Sequence, residues 1–126
     1  METLDVGKLL VRIGALLIII AGFVQIGEYA IYIVMDFFNY GYTGPWMMFW
    51  LSTGVVAVVF GFLVMFSFLR MIDKNHVTAS ILIIIFGILG AVFAAEWAII
   101  GAPGAILCLA GAILFFVEMG STNGGA

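Results

Sequence analysis

Apolar and polar residues in this chain are gathered into long blocks rather than alternating along strands or lining one helical stripe. Between Leu9 and Met35 only Arg12, Gln25 and Glu28 bring strong polarity into an otherwise greasy run. Comparable runs occupy about 46–69, 77–100 and 104–119. A hydrocarbon core of ~30 Å is crossed by ~20 helical residues, so the first three runs are long enough to span it. The fourth is short and should stand nearly upright or thin the bilayer around it.

The breaks have their own chemistry. In "DFFNYGYTGP" the turn formers Asp36, Asn39, Gly41, Gly44 and Pro45 cluster, and Pro45 suits the first turn of the second helix. "RMIDKNH" (70–76) is the one strongly polar loop, with Thr78 and Ser80 near the start of the third helix. "GAPG" (101–104) predicts a tight turn, because Pro103 cannot continue a preceding helix without a kink. Thr3 or Asp5 can cap the first helix, and 120–126 reads as a flexible tail. The pattern therefore predicts an all-α membrane protein: one integral domain over 1–126, folded as a four-transmembrane-helix bundle.

Composition agrees. Of 126 residues, 66% are hydrophobic and 9% charged, too few to give a soluble domain its polar surface. A formal charge of -3 gives no reason to expect a nucleic-acid partner. Lys8 and Arg12 precede the apolar run from Ile13 to Met35 as in a signal peptide, but that run is too long for one and ends without a small-x-small cleavage site, so it reads as a retained helix. All four basic residues fall on one side: Lys8 and Arg12 before the first span, Arg70 and Lys74 between the second and third. They serve as interfacial anchors, and the positive-inside rule puts both termini in the cytoplasm of a protein of the cell membrane. The opposite side is aromatic, with Tyr29, Tyr32, Phe37, Phe38, Tyr40, Tyr42, Trp46, Phe49, Trp50 and Trp97, as expected of an interfacial belt.

Two stretches look duplicated. "LIIIAG" (17–22) matches "LIIIFG" (82–87), and "EYAI" (28–31) matches "EWAI" (96–99), with a gap of three residues between the matches. The chain has four glutamates, and two of them stand in these tetrapeptides. Two hairpins related in parallel about an axis along the membrane normal would place both glutamates on the same side.

Glu28 and Glu96, with Gln25 one turn before Glu28, are thus the candidates for an ion, proton or partner contact; ionisable groups in spans are expensive and face protein, water or a partner charge. The plainer reading makes both glutamates hydrated helix-end residues. No cofactor motif, phosphate loop or nucleophile–base set is present, and the lone His76 is on the opposite side, so no metal site or cofactor is expected. The single Cys108 reads as a small buried hydrophobe. Small residues at spacings that let helices approach mark the packing faces: Gly54, Ala57 and Gly61; Gly87, Ala91 and Ala95; Gly104, Cys108 and Gly111, with Ala112 beside it.

Runs such as "GALLIIIAG", "IIIFGILGAV" and "GAPGAILCLAGAILFF" resemble small four-span membrane proteins of unknown function from archaea and Gram-positive bacteria. That resemblance implies the fold and carries no active-site residues. The chain is similar to small multidrug-resistance transporters in span number and in having a membrane glutamate, but theirs is mid-helix. Fluoride channels share the helix number, yet their Gly/Asn/Phe-Ser-Thr motifs are missing. The expectation is a non-enzymatic accessory or structural subunit of a larger membrane complex, whose partners are membrane lipids and other membrane protein subunits. The alternative is a small oligomeric transporter or channel using the two glutamates; a virion or envelope membrane protein is a minor one.

Overall fold

The computed structural model describes residues 3–41 and 44–125, with side chains at 5–41 and 44–117. Four helices follow one another: α1 (Thr3–Tyr40), α2 (Pro45–Met71), α3 (His76–Phe93) and α4 (Ala98–Gly125). All four are long and apolar enough to cross a membrane, which makes this a membrane protein with an all-helical bundle. At ~1.5 Å per residue, the 38 residues of α1 extend well beyond a hydrocarbon core, whereas the 18 of α3 just match it.

Several boundaries differ from the sequence expectation. α1 runs on through Asp36 and Asn39, and the chain reverses only at Gly41, whose φ of +77° is the left-handed conformation glycine adopts at a helix end. Thr3 and Asp5 lie in the first turn of α1; the Thr3 side chain and Tyr42 fall outside the described residues. The third break moves furthest. α3 stops at Phe93, a short 3₁₀ turn covers Ala95–Trp97, and α4 begins at Ala98. "GAPG" is therefore helical, not a turn, and Pro103 sits inside α4. Near a helix start the bond lost to proline is one of few, and spanning helices tolerate it where neighbours are packed closely. The fourth span is consequently full length, Ala95–Val117, and the backbone stays helical to Gly125 over the residues expected as a tail.

This rearrangement also separates the two matched tetrapeptides. Glu28 lies inside a long helix, Glu96 in the 3₁₀ turn that ends another, so the two stretches are not equivalent in the fold.

The polar loop is tighter than it looks in the sequence. The Asn75 side chain caps α3 by accepting from the Thr78 N–H at 3.2 Å, and His76 is the first helical residue. At that end Lys8 reaches Asp73 at 3.4 Å, joining the start of α1 to the α2–α3 turn. Helices run up and down, with α1 packed between α2 and α4.

Small residues in register hold the bundle together. A Cβ on Gly14 would lie 2.5 Å from the Gly104 carbonyl oxygen, and one on Gly111 2.7 Å from that of Gly7. Across α2, Gly54 lies against Gly22, and Gly61 against Ala15 and Ile19. Each seam repeats every seven residues, so backbones touch along its length and dispersion acts over many atom pairs. Around the seams, Val11, Ile18, Val64, Ile83, Cys108 and Phe115 form the main core. Gly54, Ala57, Gly61, Gly87, Gly104, Cys108, Gly111 and Ala112 are all buried as expected of packing residues. Ala95 is not: it is exposed, on the 3₁₀ turn.

Candidate functional site

The aromatic end of the bundle holds a polar network built on one face of α1. Gln25 is completely buried. Its Nε2 donates to the Trp50 carbonyl at 2.8 Å, the Thr53 hydroxyl at 2.9 Å and the Phe93 carbonyl at 3.2 Å. Two of those acceptors are carbonyls that cannot donate, which fixes the orientation of the amide. Thr53 in turn donates to the Trp50 carbonyl at 2.8 Å. Gln25 thus ties α1 to α2 and caps the C-terminal end of α3, where the break in the helix leaves carbonyls without a helical partner. Its Oε1 is buried with no hydrogen-bond partner among the described residues.

One turn further along α1, Glu28 accepts from the Trp97 indole N–H at 2.6 Å and from the Tyr32 hydroxyl at 3.1 Å. Trp97 stands on the 3₁₀ turn, so Gln25 and Glu28 together grip the α3–α4 connection from two sides. This explains why the helix breaks at Ala94 and not at Pro103: the Phe93 carbonyl and the Trp97 indole both find partners on α1. Tyr29 lies close to both Glu96 and Glu28, and stacks on Trp50 with ring centroids 6.4 Å apart. Trp46, Phe49 and Trp50 pack against one another beside it.

The structure therefore brings the three predicted residues into one neighbourhood but gives them different surroundings. Gln25 is sealed in and engaged with backbone, Glu28 is half-buried with two donors, and Glu96 is exposed. Lys8, Arg12, Arg70 and Asp73 border a single cleft at the other end; Lys74 is exposed and does not line it. No three His, Cys, Asp or Glu side chains converge among the described residues.

Two features escaped the sequence. Gly7, Gly14, Gly22 and Gly90 are packing glycines as crowded as the expected ones, and the seven-residue spacing of Gly7 and Gly14 was the available signal. The second is a groove of about 450 Å³ on the outer face of α3 and α4, floored by Ala91, Ala95, Ala98, Ala102 and Ala105 with Ile88 and Ile106 on its walls. Ala91 and Ala95, expected inside the bundle, line this outward surface.

No protein family, curated protein or solved structure matches this chain.

Proposed function

We propose that this protein is a non-enzymatic accessory or structural subunit of a larger membrane complex. The observation that supports this most is the alanine-floored groove between α3 and α4. In lipid no hydrophobic force drives helices together, so association relies on close packing, and small residues permit it. Within this bundle small residues let neighbouring backbones come close, as at Gly14 and Gly104. The groove offers small residues too, alanines where the internal seams use mostly glycines. Its occupant is an apolar membrane-spanning helix of another protein, because a row of alanines lets a backbone come near and offers no polar group.

The membrane is the cell membrane and both termini face the cytoplasm, on the strength of the basic residues gathered at one end and the aromatic ones at the other. Extraction of the native protein with surrounding lipid, followed by sizing, tests the subunit reading. Co-migration in fixed ratio with a larger membrane protein, abolished by Ala102→Trp in the groove but kept by Ile20→Trp on the exposed face of α1, is the expected result. A particle containing only this chain would overturn it.

A second reading has one observation in its favour: Glu28 and Glu96 both stand near Tyr29 at one mouth of the bundle, with no ion-paired cation among the described residues. A small oligomeric transporter or channel would use them to bind a cation or proton. Flux into proteoliposomes, lost in Glu28→Gln and Glu96→Gln variants, would favour that reading; absence of flux in the unaltered protein would remove it.

A further inference from the structure

At the basic end, between α1 and the last turns of α2, lies a cleft of about 430 Å³ lined by Lys8, Arg12, Met65, Phe66, Leu69, Arg70 and Asp73. Three of its charged residues are cations and one is an anion. Lys8 and Asp73 pair at 3.4 Å, while Arg12 and Arg70 make no ion pair or hydrogen bond with any described residue. Two guanidiniums without a partner among the described residues thus face a cleft whose remaining wall is Met65, Phe66 and Leu69.

The helix itself is deformed to make this wall. From Leu63 to Phe68 α2 is wound as a π-helix, and the Leu69 N–H bonds to the Val64 carbonyl, five residues back. Buried positions accordingly step from Val64 to Leu69, where an α-helix would step three or four. One extra residue turns everything after it by about 100° around the helix axis, including Arg70. The π turn is what sets Arg70 toward the cleft that also holds Arg12 of α1.

We propose that this cleft binds the phosphate headgroup of an anionic phospholipid. Arg12 and Arg70 supply the charge and the planar donor forks that suit phosphate oxygens. The exposed Phe66 and half-buried Met65 continue the cleft as an apolar track for an acyl chain. A soluble phosphate could use the guanidiniums but not the track. Basic pockets between spanning helices at the headgroup level are suited to such lipids. The site is independent of what the protein assembles with through the α3–α4 groove.

The test is a lipid titration of the purified, delipidated protein in neutral detergent, read by native mass spectrometry. Phosphatidylglycerol should bind at least tenfold tighter than phosphatidylcholine with the same chains, at roughly fivefold per uncompensated cation. Arg12→Gln and Arg70→Gln should each lose about that factor, and Lys74→Gln, outside the cleft, should change little. Asp73→Asn should tighten binding a few-fold by releasing Lys8, a gain that misfolding cannot imitate. Equal binding of the two lipids would overturn the proposal, as would a Lys74→Gln loss matching those of the arginines. Displacement of the lipid by millimolar inorganic phosphate would overturn it in favour of a soluble anion.

Discussion

Replacing Gly14 by alanine adds one methyl group where α1 and α4 come closest. That methyl would sit 2.5 Å from the Gly104 carbonyl oxygen, 2.8 Å from the Cys108 backbone nitrogen and 2.9 Å from its Sγ. Two of the three atoms are backbone, so no rotamer change relieves the contact and the helices themselves must separate. Overpacking of a tight site costs about 1–3 kcal/mol. Against this, alanine is favoured over glycine within a helix by up to ~1 kcal/mol. Gly27, on the same helix, supplies the control, because a Cβ there meets nothing within 4 Å. Gly27→Ala gains the same propensity without the clash. The stability difference between the two variants therefore isolates the contact and should amount to about 1–3 kcal/mol, with Gly14→Ala the weaker protein. Reversible unfolding by a denaturing detergent in mixed micelles measures it directly. Equal stabilities would refute the claim that backbone-to-backbone seams hold the bundle.

Other consequences concern the aromatic end and the core. Gln25→Leu keeps the volume but leaves the Phe93 carbonyl without its side-chain donor, so stability should fall by about 1–3 kcal/mol and amide exchange over 95–97 should quicken; unchanged exchange would mean that Gln25 does not fix the break. Glu28→Gln turns a charge-assisted hydrogen bond from Trp97 into a neutral one, weaker by about 1 kcal/mol, and the Trp97 indole proton should move upfield in the NMR spectrum. Cys108, only 1% exposed, should resist maleimide in the folded protein and react once a denaturing detergent opens the bundle; rapid labelling of the folded state would contradict the packing around Gly14.

The four spans could be read from the sequence because block hydrophobicity is a local property. The packing residues of α2 and α4 were legible for a related reason, since Gly54 with Gly61 and Gly104 with Gly111 carry their spacing within one segment. The α1 partners of the α4 glycines were visible in principle at Gly7 and Gly14, but only by looking for a repeat of seven and not of four. The break at Ala94 was not legible. It depends on Gln25 and Glu28 reaching residues 68 and 69 positions away, and local propensity favoured Pro103 instead. The misplaced turn also made "EYAI" and "EWAI" look alike in role, when one lies in a continuous helix and the other forms a turn. The lipid-headgroup cleft needed the π turn of α2 to orient Arg70, and nothing in "LVMFSF" announces a π turn.

Site-specific photo-crosslinking inside native membranes tests the subunit proposal most directly. A crosslinkable residue at Ala102, within the α3–α4 groove, is compared with one at Ile20 on the exposed face of α1. Position 102 should give a single discrete protein adduct, of the same mass as the protein that co-migrates on gentle extraction, and position 20 none. Lipid adducts alone from both positions, or the same set of proteins from each, would contradict it.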